Sequence, residues 1–459
     1  LRRDGDGGAE DPRHAAAHAG ELQLTPADAY GLTGRAFARL DARLDAERAE
    51  PVAVALSGGG DSMALMHLAA DWTKAHGRRL LALTVDHNLN ALSADWTRFA
   101  GEAARAVGAD WRSLRWNDAA SGPGLTARAR AARHGLIAEA ARDAGARVVL
   151  LAHTADDVAE ADWMRARGST LGRVREWSPS PVWPEGRGLM LLRPLLSDRR
   201  EVLRDYLKGR GQAWIEDPAN ADARFGRSRA RAALASALAG EVDRAALPPR
   251  LLRDHPPQQG EGEAGLMAWA GVLEIPRDAP AARLAAALVC AGGGAVPPRG
   301  DRLAGLMARL AAGEDFTAGL TGARIEAEGT RVLLMREPGE MRRRAPEAMM
   351  LTPGVGAVWD GRFEITARAA GWRVTAAEGR LARLSAGDRR VLAGLPPAAR
   401  GGLPVLIRDG EEAPVLAWSA ATVRTLAPRR LRLALGETTQ EADLFHPMHG
   451  ETPPTDLFS

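Results

Sequence analysis

Val52-Ala53-Val54-Ala55-Leu56-Ser57-Gly58-Gly59-Gly60-Asp61-Ser62 runs an apolar, β-type segment straight into three glycines, an acid and a serine, and Met63 to Ala70 continues it as a helix. Without Cβ atoms, glycines can take positive φ and let backbone N–H groups converge on an anion. The helix N-terminus that follows adds its own partial positive charge. Strand, glycine turn and helix start in that order predict a nucleotide phosphate site, with Ser57, Gly58, Gly59, Gly60, Asp61 and Ser62 as its residues. The plain alternative is a glycine-rich strand-to-helix turn that binds nothing. No lysine follows the glycines, so this is neither G-x-x-x-x-G-K-[ST] nor G-x-G-x-x-G.

Outward from this stretch, β-type and helical segments alternate. Strands are expected at Val52 to Leu56, Leu80 to Val85, Trp111 to Trp116 and Val148 to Ala152, with helices to about Ala75, from Ser93 to Val107 and from about Leu125 to Ala144. Strands separated by helices imply right-handed crossovers and a parallel, Rossmann-like sheet, an α/β fold. Ligands of such sheets sit beyond the carboxyl ends of the strands. Those ends carry Ser57 to Ser62, then Asp86-His87, then His153 to Asp157, so topology alone brings three polar clusters to one rim.

The 459 residues suffice for about three domains, and 46% hydrophobic residues can fill their cores. No apolar run approaches the ~18 to 20 residues of a membrane span, and Leu1 to Gly8 has no apolar signal core, so a cytoplasmic protein without membrane contact is expected. The lone cysteine, Cys290, lies in an apolar run and can form neither an internal disulfide nor a Cys-x-x-Cys site; a buried structural thiol is expected. With a net charge of only +3, any nucleic-acid footprint must be local. The Arg-rich stretches at 342 to 344 and 429 to 432 are the hints of one.

Residues 1–28 read as a disordered extension and 29–240 as the loop-bearing domain. Within 241–345, Glu241 to Gly265 is a Pro/Gly-rich linker, followed by a small, mostly helical domain with a hairpin from Ile325 to Met335 around Glu328-Gly329. Residues 346–435 form a small β-rich domain, with strands at Val358 to Thr366, Trp372 to Ala376, Val405 to Ile407 and Pro414 to Trp418. Residues 436–459 are acidic, proline-bearing and expected to be a disordered tail.

Several local arrangements carry chemistry. Asp86 and His87 at a strand end could receive a nucleoside or order a metal ion and water, or could be a helix cap beside a surface histidine. In Ala152-His153-Thr154-Ala155-Asp156-Asp157-Val158-Ala159-Glu160, Asp157 and Glu160 are three apart, share a helix face and can jointly receive an ammonium ion. Acids favoured by the helix dipole are the simpler account. Arg130 and Arg133 also share a face, as a phosphate grip or a solvated one. Arg227 and Arg231, spaced i, i+4, could touch RNA phosphates or mark a solvated helix start.

Together these residues resemble a known family. Ser57 to Ser62 is similar to S-G-G-x-D-S, the PP-loop of the ATP pyrophosphatases, which cut ATP between its α and β phosphates. Val85-Asp86-His87-Asn88-Leu89 looks like V-D-H-x-L, His153 to Glu160 like H-x-x-D-D-x-x-E, and Ala129 to His134 like A-R-x-x-R-Y. Arg167-Gly168-Ser169-Thr170-Leu171-Gly172 resembles R-G-S-G-x-x-G, and Leu192 to Leu195 and Glu216 to Asn220 resemble L-R-P-L and E-D-P-S-N. The set is that of the tRNA(Ile)-lysidine synthetases, narrow from about Val52 to Arg231 and looser to about Trp418. The departures are Thr126 for Glu, His134 for Tyr, Thr170 for Gly and Ser228 for Asn.

That resemblance implies the substrates: ATP with Mg²⁺, free L-lysine, and the wobble cytidine of a tRNA(Ile) with a CAU anticodon. It implies that Ser57 to Ser62 bind the departing pyrophosphate, that Asp61 holds Mg²⁺, and that Asp86, His87 and His153 belong to the ATP site. Asp157 and Glu160 would take lysine, Arg130 would stabilise the adenylate, and Arg133, Arg167, Arg227 and Arg231 would contact tRNA. Asp61, Arg130 and Asp157 are thereby the expected catalytic residues. An RNA thiolase would need cysteine pairs and an amidotransferase a glutaminase segment, neither of which the chain has. A non-catalytic RNA-binding relative would not need Ser57, Asp61, Asp157 and Glu160. Oligomeric state is left open, a homodimer included.

Overall fold

The computed structural model describes residues 26–88, 91–117, 124–169, 172–217, 228–234, 267–446 and 451–453. The first 25 residues and the expected linker lie outside these ranges.

The loop-bearing domain is built on a six-stranded sheet. Its strands are β1 (Val52–Ala55), β2 (Leu80–Asp86), β3 (Asp110–Arg115), β4 (Val148–Leu150), β5 (Trp177–Pro179) and β6 (Met190–Leu192), in the order β3-β2-β1-β4-β6-β5. All neighbours are parallel except β5 and β6. β1, β4 and β6 are apolar along their whole length, and β2 from Leu80 to Leu83, because both faces are covered. Val52, Val54, Val148 and Leu150 pack in one core and Ala53, Leu81, Leu83 and Val149 in the other. β3 is largely exposed, with only Trp111 and Leu114 half-buried, as suits an edge strand. The opposite edge, an antiparallel β5 on a parallel β6, adds two strands to the four expected.

Helices α1 (Pro26–Asp41), α2 (Gly60–Ala75), α3 (Ser93–Ala106), α4 (Leu125–Asp143), α5 (Ala155–Arg165) and α6 (Arg200–Gly209) accompany the sheet. The buried face of α2 runs from Ser62 to Thr73 with few gaps, and its Trp72 indole N–H donates to Asp41 of α1 at 2.7 Å. The strand order reverses at β1: β2 lies on one side of it and β4 on the other. That switch point opens a crevice above the carboxyl ends of both strands, where the chain continues as Ser57 and His153 respectively.

Beyond residue 266, α7 (Ala281–Gly292) and α8 (Gly300–Ala311) are joined by a four-stranded antiparallel sheet of β7 (Leu273–Pro276), β8 (Phe316–Leu320), β9 (Ala323–Glu328) and β10 (Arg331–Arg336), ordered β7-β10-β9-β8. The expected hairpin is β9–β10; the other two strands were not legible, because short runs such as Leu273-Glu-Ile-Pro fit either period. Cys290 is buried in this core, its thiol pushed up to about 12 by burial. The last part carries a three-stranded sheet, Gly356–Trp359, Phe363–Ala367 and Ala421–Thr425, and a four-stranded one containing Trp372–Ala376 and Pro404–Arg408. The single strand expected from Val358 to Thr366 is a hairpin, since Asp360 and Gly361 both take positive φ at its turn.

Residues 437–446 correct the expectation of a disordered tail. Glu441 is fully buried and accepts from Arg78 of the first domain, Nη1 to Oε2 at 2.6 Å and Nη2 to Oε1 at 3.0 Å. Its Oε2 also accepts from the Asp45 amide at 3.0 Å, and the Trp177 indole donates to the Thr438 carbonyl at 2.8 Å. Trp183, Arg187 and Arg78 thus tie the first domain to the last, through Gly361, Glu364 and Glu441. No described helix is long and apolar enough to cross a membrane.

Candidate active site

The glycine turn after β1 folds as its residue types require. Gly58 sits at φ +84, and a Cβ there would stand 2.5 Å from Cδ1 of Ile215. The Ile215 amide donates to the Gly58 carbonyl at 2.9 Å and its backbone bridges Gly59, so residues 214 and 215 brace the turn from outside. Inside it, the Ser62 hydroxyl donates to the Gly59 carbonyl at 2.9 Å, accepts from the Ser57 amide at 3.2 Å and lies 3.1 Å from the Ser57 hydroxyl. The two serines and the start of α2 thus form one polar cradle.

Asp61 projects from the first turn of α2 toward α5 and α6. Its Oδ2 accepts from Nε of Arg200 at 2.9 Å. The same guanidinium lies 3.6 Å from Asp157 Oδ1 and 3.5 Å from Glu160 Oε1. Glu160, 1% exposed, also accepts from Nε of Arg231 at 2.6 Å on Oε1, while its buried Oε2 has no hydrogen-bond partner among the described residues. Asp157 caps its own helix: Oδ2 accepts from the amide and the hydroxyl of Thr154, both at 2.9 Å. Three carboxylates from two helices therefore meet two guanidinium groups.

Burial raises the Asp61 carboxyl above the ordinary range, an effect that Arg200 only partly offsets. Burial pushes Asp157 the same way, but the Thr154 hydrogen bonds and the charges of His153 and Arg200 outweigh it and hold its carboxyl below the ordinary range. Arg200 is held charged: burial alone would lower it, and Asp61, Asp157 and Glu160 together raise it. Asp156, next in sequence, faces elsewhere; its Oδ2 accepts from the Arg200 amide at 2.7 Å and so caps α6.

The other rim residues gather around α4. His153 accepts from Arg193 Nε on Nδ1 at 3.2 Å, and burial with the nearby Arg130 charge lowers Arg193 to about 10. Asp86 accepts from the Asn88 amide at 2.8 Å, an interaction local to its turn. His87 packs edge-on against Trp116 with ring centres 6.0 Å apart, and burial followed by the Arg133 charge lowers it, so it is neutral near pH 7. Arg130 and Arg133 are exposed on α4 with their charges felt at Arg193, His134 and His87.

Of the arginines expected at RNA, Arg167 is exposed and stacks 3.7 Å over the Trp163 ring. Arg227 lies outside the described residues. Arg231 is turned inward onto Glu160 rather than outward. In the 429–432 stretch, Arg429 pairs with Glu451, Arg430 stacks on Trp183 and Arg432 approaches Glu437, so this hint of an RNA footprint is largely spent on internal contacts. Arg342, Arg343 and Arg344 are all exposed.

Sequence reasoning missed Arg200, the group on which the acids converge. One signal was present: Arg200 is a cation in the first turn of a helix, where the dipole disfavours it and an external partner is needed. As for a metal, no group of three or more acids, histidines or cysteines among the described residues could form a cage. The single hard carboxylate of Asp61 beside the phosphate cradle suits Mg²⁺, which keeps several waters and takes other ligands from a nucleotide.

Residues 33–238 match a family model described as a PP-loop domain. A tRNA(Ile)-lysidine synthase of Caulobacter vibrioides is 46% identical over 415 residues, 88% of this chain and 98% of that protein. One of Hyphomonas neptunium is 37% identical over 307 residues, covering 63% of this chain and 83% of its own. Among solved structures, a U34-tRNA thiolase of Methanococcus maripaludis is similar at 15% identity and a TM-score of 0.38, over 47% of this chain and 74% of that one.

Proposed function

Since this chain belongs to the tRNA(Ile)-lysidine synthase family, as a ligase with an ATP-using PP-loop domain, we propose that it joins free lysine to C2 of the wobble cytidine of a CAU-anticodon tRNA(Ile). The reaction has two steps. Cytidine O2 attacks the α-phosphate of ATP and pyrophosphate leaves, which activates C2 as an adenylate. The ε-amine of lysine then attacks C2 and AMP departs.

The observation that carries this reading is the meeting, at the β1/β4 switch point, of a phosphate cradle with two buried carboxylates, Asp157 and Glu160. A nucleotide site alone needs the first; ligation of an amine needs both. In this reading Ser57, Ser62 and the N–H groups at the start of α2 hydrogen-bond the departing pyrophosphate, and Asp61 holds the Mg²⁺ whose charge, when bound, favours that departure. Arg130 and Arg133, exposed on α4, would meet the adenylate and the RNA. Glu160 Oε2, which has no hydrogen-bond partner among the described residues, would accept from the ε-ammonium. Because only the free amine is a nucleophile, a carboxylate of the pair takes the proton as the new C–N bond forms.

The readout is pyrophosphate released from ATP, measured with and without tRNA(Ile), together with labelled lysine fixed in the RNA. Release that depends on the tRNA and lysine that ends in it are expected, and Asp61→Asn should lower the release about 10²-fold or more. A folded Asp61→Asn protein with unchanged release would remove Asp61 from the phosphate end, and failure to fix lysine would remove the reaction.

A further inference from the structure

Arg200 touches both halves of the site at once. Its Nε bonds Asp61 at the phosphate cradle, while its two terminal nitrogens reach Asp157 and Glu160 at the amine side, 3.6 and 3.5 Å away. The side chain is 18% exposed and those of Asp157 and Glu160 are 9% and 2% exposed, so these charges meet with little water to screen them. In this arrangement the guanidinium occupies the carboxylates that a substrate ammonium would need. Two cations cannot share that space without mutual repulsion. A triphosphate at residues 57–62 changes the balance, because it brings several negative charges to the Asp61 end of the same guanidinium, and a planar Arg fork pairs with phosphate oxygens at least as well as with carboxylates.

We infer that Arg200 couples the two substrates: it covers Asp157 and Glu160 until the triphosphate draws it to the glycine loop, and the amine substrate binds only after it has moved. The inference rests on the proposed reading of the site as one for a nucleotide triphosphate and a free amine. Arg231 stays on Glu160 Oε1 and fixes that carboxylate's orientation, leaving Oε2 for the incoming ammonium. Arg200 acts here as a positioning residue, since it governs the state of the acids rather than the reacting atoms.

The test is lysine binding to the full chain by equilibrium dialysis, with no nucleotide, with a non-hydrolysable α,β-methylene ATP and Mg²⁺, and with adenosine. The analogue should tighten lysine binding by about tenfold, within the usual span of site-to-site coupling. Adenosine, which lacks the phosphates, should leave it unchanged. In Arg200→Gln lysine should bind without nucleotide about as tightly as wild type binds it with the analogue. Arg200→Lys keeps a charge but cannot span Asp61 and Glu160 together, and guards against a Gln variant that does not fold; its coupling should fall below about threefold. Lysine affinity indifferent to the analogue, an adenosine effect equal to that of the analogue, or full coupling in a folded Arg200→Lys protein would each overturn the inference. No lysine binding under any condition would instead remove the amine site itself.

Discussion

Gly58→Ala puts two penalties on one residue of the phosphate cradle. At φ +84 a residue with a Cβ carries about 1–2 kcal/mol of backbone strain. The new Cβ would also stand 2.5 Å from Ile215 Cδ1. Cδ1 is the free end of the Ile215 side chain and can rotate aside, but the backbone of residue 215 stays in place, its amide bonded to the Gly58 carbonyl and its chain bridged to Gly59, so the side chain must leave its preferred rotamer. Driving Ile215 off its rotamer adds about 0.5–1.5 kcal/mol, for a total of roughly 1.5–3.5 kcal/mol with the backbone strain. Gly77 is the internal control: it sits at φ +65, but a Cβ there meets no described atom within 4 Å. Gly77→Ala should therefore lose only the strain, about 1–2 kcal/mol. Urea midpoints of the two variants should differ by the clash alone. The strain at residue 58 falls on the turn that positions the N–H groups at the start of α2, so tRNA-dependent pyrophosphate release should drop about 10²-fold in Gly58→Ala and stay near wild type in Gly77→Ala. Equal midpoints and equal rates for the two variants would refute the claim that residues 214 and 215 brace the loop.

Glu160→Gln removes a charge but keeps the shape, so the lysine concentration needed for half-maximal rate should rise at least about tenfold while adenylated tRNA still accumulates; a fall in adenylation with an unchanged lysine requirement would assign Glu160 to the phosphate end. His134 is lowered from 6.5 to about 4 by burial, then by the charges of Arg133, Arg130 and Arg193. The unfolded chain therefore binds the proton first, and stability that is whole above pH 6.5 is lost as the pH falls toward 4, on the order of 3 kcal/mol for this residue. His134→Phe should flatten that part of the stability curve, measured by urea midpoints across the range, and an unaltered curve would show that the histidine is solvated. Changing Arg342, Arg343 and Arg344 together to Ala should weaken tRNA binding and reduce the salt slope by roughly 1 for each phosphate no longer neutralised, whereas an unchanged slope would place the RNA elsewhere.

Sequence alone determined whatever depends on neighbours along the chain. The parallel strands were legible because a strand covered on both faces must be apolar throughout, as Val52 to Ala55 and Val148 to Leu150 are. The phosphate loop was legible because positive φ at Gly58 and a helix start two residues later are local properties. The face shared by Asp157 and Glu160 followed from helical spacing. Tertiary structure alone decided what those acids meet. Arg200 is 139 residues from Asp61 and reaches it only because the strand order sets β6, and with it α6, beside β4. Arg231, read as an outward phosphate contact, turns onto Glu160. The segment from Glu437 to His446 shows the same limit most plainly. Its charges and its scarcity of apolar residues predict disorder, and it is ordered by the burial of Glu441 against Arg78, 363 residues away. A buried charge is tolerated only with a partner, and nothing in the spacing of residues along a chain names a partner that the fold has yet to bring near.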